Sequence, residues 1–555
     1  MPEQTLPYQA QIADRTTRAA NMKKTLVEPF RADDGKFFSP ANKAEADKRD
    51  MILESAIQDS AYSMLENGKM IAAVHARALQ GYENKYGRLP SDDLLASCHK
   101  AIENAILLSS KKIALGGVFE NAEMSTTDGI MMRDRLISLV LPVQLQSITA
   151  NMVTYIPGEF NQSEFFRVHR VAGSTFGSLK KGDKILYDYN GLYSVMDQRA
   201  LMGKGDGSTK EFTFETKSLH DIVYPIKPKR VRVWVDRKKV AEDTAGNGAI
   251  VGVYTSPAQT QVIVSGEADY ATGSIKVSFS EAPAEDIEIY IGFDVNIERD
   301  PNLIPRVDHV MSSHTLYPHE SAITGDATIQ AVWALRRELG IDIDNLTMQA
   351  LRNLLAADKD RKHLNDMRFH AKNVVEWDRV GWEFKGNVYG ITLRDHYESI
   401  NHALLEVDTK LMKENGVSGL VGIVAGINAI NIFRYLPAPW FTPAPGYRAV
   451  AQPHYVGRVM GQWDLYCNPQ QEDGWECLCF ARGPNHGETA YVAGDAVPAL
   501  SFRHPTLGDL TQRATMWDLA YRDMQPFDGE KYLCLLKIVE NPGMSDASAS
   551  GEINS

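Results

Sequence analysis

Apolar positions recur along this chain with two different periods, and the switches between them mark its parts. Residues 44–83 read as helix. In DMILESAIQDSAYSMLENGKMIAAVHARALQGY, Met51, Ile52, Ala56, Met64 and Leu65 fall near helical spacing, with Gly68 as a break. SDDLLASCHKAIENAILLSSKKIA predicts a second helix, with Ser91 as N-cap and Asp92 and Asp93 in the first turn, where a carboxylate favours the positive end of the helix. RLISLVLPVQLQSITANMVTYIPG is apolar, broken at Pro142, and drifts toward strand. The period then drops to two. Glu159 to Met202 reads as a long hairpin, EFFRVHRVAGS followed by KILYDYNGLYSVMD, and an isolated ribbon of that kind needs a partner in water. Residues 203–296 alternate through KEFTFET, KRVRVWVD, TQVIVSG, GSIKVSFS and DIEIYIGFDV. The turns GKGDGS, TAGNG, EADYATG and EAPAED separate them, which predicts a small antiparallel β-sandwich or barrel.

Helical spacing returns after residue 300. DATIQAVWALRRELG has Ile329, Val332, Trp333 and Leu339 on one side, Asp326 as N-cap and Gly340 as stop. A long helix follows from near Asp344, with Leu346, Ala350, Leu351, Leu354 and Leu355 on one stripe. RDHYESINHALLEVDTKLMKENG is amphipathic and closed by Gly416. The stretch from Ser418 to Gly483 looks built to present a rigid face. SGLVGIVAGINAINIF reads as a helix whose small residues let a neighbouring backbone come close, and two strands, HYVGRVMGQWDLYCNP and GWECLCFARG, follow it. Between them, Pro437, Pro439, Pro443 and Pro445 make a stiff loop carrying Trp440 and Phe441. Those aromatics either dock on other protein or pack back on their own domain; the spacing leaves both open.

Composition narrows the function. A chain of 555 residues holds two or three domains. A net charge of −12 argues against nucleic-acid binding as its main task, because phosphate contacts need clustered Lys and Arg. Five cysteines, Cys98, Cys467, Cys477, Cys479 and Cys534, form an odd, sparse set that suits a reducing compartment. Cys477 and Cys479 share a strand face, but the Cys-x-x-Cys knuckle of zinc sites is missing, so no metal is expected. No secretory pattern opens the chain and no long apolar run suggests a membrane span. The glycines of GKGDGS lead into a strand rather than a helix, so they are no phosphate loop. His309, His314 and His319 lack acidic or thiol partners at ligand spacing and read as solvated. No catalytic motif and no dinucleotide fingerprint emerges; no enzyme and no cofactor is expected.

The run VGRVMGQWDLYCNPQQEDGWECLCFARG resembles the late segment of major capsid proteins from contractile-tailed bacteriophages. The matching residues are Gly461, Trp463, Tyr466, Asn468, Pro469 and Gly483, and Tyr491, Pro498, Leu510, Thr511 and Arg513 continue the pattern. The likeness covers roughly the last 250 residues. The β-rich stretch resembles a module inserted in phage virion proteins, with its Asp-Tyr-x-x-Gly turn at Asp269, Tyr270 and Gly273.

The resemblance implies an α+β fold, the tailed-phage major capsid fold shared with encapsulins, carrying an inserted antiparallel β domain. The plan it implies is an N-terminal arm at 1–45, a helical region opening the P domain at 46–158, an E-loop at 159–202 and the insertion at 203–296. A P domain with a long spine helix follows at 297–415, an axial A domain at 416–490, and a return to the P domain with a polar tail at 491–555. Many relatives lose an N-terminal piece after a glutamate; a chain beginning at Met1 is expected to be untrimmed. The implied function is a virion protein, assembled in the host bacterial cytoplasm, that forms hexameric capsomers of an icosahedral shell, whose pentamers use either this chain or a separate vertex protein. Its implied partners are other copies of itself, together with scaffold, portal, decoration or vertex proteins. Packaged DNA would be touched only non-specifically and no membrane at all. The expected inter-subunit contacts are Phe165, Phe166 and Arg167 in the E-loop and Trp440, Phe441 and Tyr447 at the axial tip. A tail sheath or tube protein and an encapsulin-like compartment shell are the alternatives.

Overall fold

Apolar runs too short and too continuous to show a period become the centre of a sheet. The computed structural model describes residues 5–31, 43–58, 60–65, 67–109, 137–185, 192–256, 259–339, 343–379, 393–503 and 511–540. It divides into two compact units, Met1–Phe166 with Ser313–Ser555, and Arg167–Ser312. In the first unit a seven-stranded sheet runs Asn373–Asp378, Leu533–Val539, Glu476–Ala481, Leu420–Gly426, Trp463–Asn468, His454–Val459 and Phe441–Pro443. Leu420–Gly426 pairs parallel to Trp463–Asn468 and antiparallel to Glu476–Ala481.

The segment from Ser418 therefore differs from the helix its sequence predicts. Leu420–Gly426 is a central strand, and the helix begins only at Ala429, ending at Tyr435. A strand covered on both faces is apolar at every position, so its pattern matches that of a buried helix. Its small residues do serve close approach, but between strands: a Cβ on Gly422 would come within 2.5 Å of the Phe480 ring. The helix Ile400–Asn415 packs on this sheet through Ile400, Leu404, Val407 and Leu411, and Gly416 closes it at φ 64° as expected.

A second sheet of the same unit orders Val153–Tyr155, Tyr491–Arg503, Thr511–Met524 and His319–Thr328. The long helix Ile343–His370 packs against it. Asp326 is no helix cap: it lies in the strand, bonded to Arg513 at 2.8 and 3.0 Å, and Thr328 Oγ1 accepts from Ala331 N instead. Gly340 and Leu510 lie outside the described residues.

The N-terminal region is more ordered than its polar composition suggests. Thr5–Leu26, within the expected N-terminal arm, is a helix. It packs on the helix Asp92–Ser109, burying Ala19, Met22 and Leu26, and its cations meet that helix's acids through Arg15–Asp93 and Lys23–Asp92. The borrowed partner surface makes up for the weak period. Gly68 does break the predicted first helix, which splits into Lys43–Gln58 and Gly68–Tyr86.

The ribbon also differs in its second strand. Ser163–Ala172 pairs with Val307–Leu316, more than a hundred residues on, and the chain between them forms the β unit. Part of the predicted return strand KILYDYN lies outside the described residues. In the β unit eight strands pair in the order Asp197–Lys204, Glu288–Asp294, Arg232–Val235, Lys238–Glu242, Ala249–Thr255, Gln261–Asp269, Ser274–Phe279 and Glu211–Glu215. The first and last meet: a Cβ on Gly203 would lie 2.9 Å from the Phe212 ring, which curls the sheet into a barrel. Alternate residues such as Val233, Ile250, Val264, Ile275, Ile291 and Phe293 fill it. The Asp-Tyr-x-x-Gly turn is structural. Tyr270 Oη donates to the Asp243 carboxylate and accepts from Gly248 N, while Gly273, at φ 71°, leaves no room for a Cβ beside Thr216.

Candidate assembly surfaces and a buried polar site

The proline loop folds on itself. Trp440 N and Phe441 N both donate to Pro437 O, and Met460 N donates to Trp440 O at 2.7 Å. Phe441–Pro443 becomes a three-residue edge strand, where Pro443 withholds an N–H and so blunts the edge. Trp440, Phe441 and Tyr447 are half-buried and pack against the core of their own unit. Tyr447 is stacked on His454, with ring centroids 5.7 Å apart, and Arg434 lies over its ring at 5.6 Å. These rings pack back on their own unit, and part of the surface of each remains open.

The other three expected contacts fare differently. Phe165 is 1% exposed, between His486 and Phe527 with centroids 5.7 and 6.2 Å away, and Phe166 is buried as well. A side chain already covered within one chain has little area left to bury on assembly. Arg167 is half-exposed on the ribbon.

Several large apolar side chains elsewhere are exposed in the single chain. Ile329 and Trp333 occupy the predicted inner stripe of the helix Ile329–Leu339, yet Trp333 is 59% exposed, with Arg337 over its ring at 4.8 Å. Phe369 is 85% exposed, and Val168, Val307 and Val310 stand out from the ribbon. Amphipathic spacing signals that a face is covered, but not by which chain.

A buried polar site lies where the long helix meets the second sheet. Leu351 and Leu355 begin a stripe that continues through the half-buried Lys359 to the buried His363 and Met367, so polar side chains enter an apolar face at the same four-residue spacing. Lys359 Nζ sits 3.0 Å from Asp495 Oδ1 and 2.7 Å from Asp518 Oδ2, the latter an ion pair angled away from hydrogen-bond geometry. Burial pulls the ammonium's pKa down, but the two carboxylates more than reverse this and leave it raised. Burial likewise lifts the Asp495 carboxyl, while Lys359 and Gln144 hold it below the usual range. Asp360 stays raised by burial despite accepting from Ser147 Oγ and Thr149 Oγ1. His363 Nδ1 is 3.1 Å from Thr149 Oγ1, and burial, aided by Arg522 and Lys359, lowers its pKa to about 3. A cavity of about 210 Å³ borders this group.

The helical region joins the seven-stranded sheet through a second polar seam. Tyr82 Oη donates to Asn151 Oδ1, and Asn151 Nδ2 to Tyr466 Oη. Arg88 and Arg458 both pair with Asp464. His75 is fully buried between Tyr62 Oη and Ile137 O; the carbonyl can only accept, so Nε2 carries the proton and Nδ1 accepts from the tyrosine. Burial lowers its pKa to about 4.

All five cysteines are buried free thiols. Cys479 lies opposite Cys534 on the neighbouring strand, and burial pushes the Cys534 thiol up to about 11. Among the described residues, no group of three His, Cys, Asp or Glu side chains is placed to hold a metal. His319 approaches Asp523 at 3.3 Å, a cross-strand partner that its sequence neighbours do not reveal. No helix among the described residues is long and apolar enough to cross a membrane.

Against this geometry the chain can be compared with known proteins. Protein IncB of Escherichia coli is 32% identical over 178 residues, spanning 30% of this chain and 83% of IncB. The chain belongs to the family of Protein IncB. Residues 3–147 also match a family described as a domain of unknown function, DUF8615. Similar solved structures include the capsid of Myoviridae phage XM1, at 8% identity and TM-score 0.29, covering 61% of this chain and 89% of that one. The capsid of jumbo bacteriophage PhiKZ aligns at 9% identity and TM-score 0.32, covering 71% and 93%. The SrpI encapsulin complex of Synechococcus elongatus aligns at 9% identity and TM-score 0.28, covering 42% and 78%.

Proposed function

We propose that this member of the IncB family is a shell-forming structural protein, the major capsid protein of a tailed bacteriophage, whose copies assemble into an icosahedral shell. The observation that carries this reading is the ribbon. Ser163–Ala172 and Val307–Leu316 form a two-stranded sheet with Val168, Val307 and Val310 exposed. A two-stranded ribbon with an uncovered apolar surface is marginal in water and gains stability when laid on another protein. The late-segment residues support it too: Gly461 makes the positive-φ turn at 69°, and Trp463 and Tyr466 are buried in the strand that follows. In this reading the ribbon is the E-loop, Ile343–His370 the spine helix and the seven-stranded sheet the axial domain. The chemistry is assembly, not catalysis. Each contact is modest, and repetition through a closed lattice multiplies modest contacts into a stable shell.

Replacing Val307 and Val310 together by aspartate tests it. Both side chains are exposed, so the unfolding free energy should stay within about 0.5 kcal/mol of wild type. The assembled fraction, read by light scattering and electron microscopy, should fall at least about tenfold, the loss that corresponds to about 1.4 kcal/mol of contact energy. Unchanged assembly would remove the ribbon from the contact surface.

A further inference from the structure

The outer face of the β unit carries an apolar patch that its fold does not need. Val251, Val253 and Ile263 are 66%, 52% and 60% exposed, on the neighbouring strands Ala249–Thr255 and Gln261–Asp269, with Val253 directly opposite Ile263. Their inward-facing neighbours Ile250, Tyr254, Val262 and Val264 already fill the barrel. Contiguous β-branched residues on a solvent face are costly unless something covers them.

Beside this patch, one strand away, is a basic hairpin. Residues 227–239 hold seven Lys and Arg and one Asp. Lys227, Arg230, Arg232 and Lys239 are paired with Glu298, Asp294 or Glu242. Lys229, Arg237 and Lys238 are exposed and have no ion-pair partner among the described residues. The two-residue turn at Asp236 and Arg237, both at positive φ, holds this charge out at the tip.

Resting on the shell-forming reading, we propose that this patch, together with Arg237 and Lys238, is a docking surface for the net-acidic unit outside residues 167–312 of a second copy of this chain. Charge complementarity identifies the occupant. The β unit carries 19 Lys and Arg against 20 Asp and Glu; the rest of a copy carries 40 against 51. The basic rim repels its own image, so the patch does not pair with itself. A contact between two unlike surfaces repeats around rings and lattices instead of stopping at a dimer, as a shell requires. An apolar centre with a charged rim suits protein better than nucleic acid, which would need aromatic platforms; Tyr254 on the same strand is buried, and Trp234 is already covered by Arg199 at 4.6 Å.

Because all five native thiols are buried, Thr255→Cys places one reactive group at the rim of the patch for a photo-crosslinker. Full-length chain bearing it would be mixed with an equal amount of ¹⁵N-labelled full-length chain and irradiated. The expected products join the crosslinker to acidic peptides outside residues 167–312 of the isotopically distinct copy. Adding Arg237→Glu and Lys238→Glu should cut their yield at least about tenfold. Cross-links confined to one copy, to the same patch of another copy, or to co-purifying nucleic acid would each overturn the proposal, as would shells that form without any cross-link. Cross-linked pairs without shells would keep this contact and sink the shell reading instead.

Discussion

Replacing Lys359 by methionine is expected to cost about 3–5 kcal/mol of unfolding free energy, the range found when one partner of a buried ion pair is removed. The ammonium, itself mostly buried, lies within 3.0 Å of the fully buried Asp518 carboxylate and the largely buried Asp495 carboxylate, and methionine fills its volume without its charge. Asp518 would keep Arg522 at 2.9 Å, whereas Asp495 would keep only the amide of Gln144, so Asp495 bears most of the loss. Adding Asp495→Asn to Lys359→Met should therefore recover part of the stability, although Asp495→Asn alone in the wild-type background should destabilise. Denaturant midpoints of the four proteins read this directly as a double-mutant cycle. A loss of under about 1 kcal/mol for Lys359→Met would mean that water already shields the site.

The second large effect is acid sensitivity. His75 and His363 are buried neutral, with pKa values lowered to about 4 and about 3 from 6.5. The unfolded chain takes up both protons near pH 6.5, and the folded chain does not. Stability is therefore fully present above pH 6.5 and falls as pH drops toward 4 and 3. At pH 5 each site should remove about 2 kcal/mol. Asp360, whose carboxyl is raised, works in the opposite direction, but only as pH falls through its own folded value above 3.8. Melts at pH 7.5 and pH 5 should show the loss, and a double variant, His75→Gln with His363→Gln, should be less stable at pH 7.5 yet lose less between the two. A difference between pH values as large as in wild type would assign the acid response to other groups.

Much of the fold is legible in the sequence where a period and a stop signal agree. Gly68, Gly416 and the alternation from Glu211 to Asp294 each mark the element they predict. The reading fails where the partner is distant. Nothing near Leu420 distinguishes a doubly covered strand from a buried helix, since its neighbours come from Trp463 and Glu476 onward. Nothing near Phe165 announces Phe527 and His486 behind it. The ribbon's true partner strand lies beyond an entire inserted unit. Lys359 and His363 are visible as polar residues on an apolar stripe, but their partners Asp495, Asp518 and Thr149 lie more than a hundred residues away. Assembly surfaces are harder still, because spacing records that Trp333 belongs to an apolar face without recording what covers it.

The central claim, self-assembly into a closed shell, is tested most directly by expressing this chain alone and imaging the purified product by electron microscopy, with light scattering alongside. The account predicts closed shells, or hexamers that close into shells as concentration rises. Long open tubes, or a monomer that remains a monomer across the same concentrations, would contradict it.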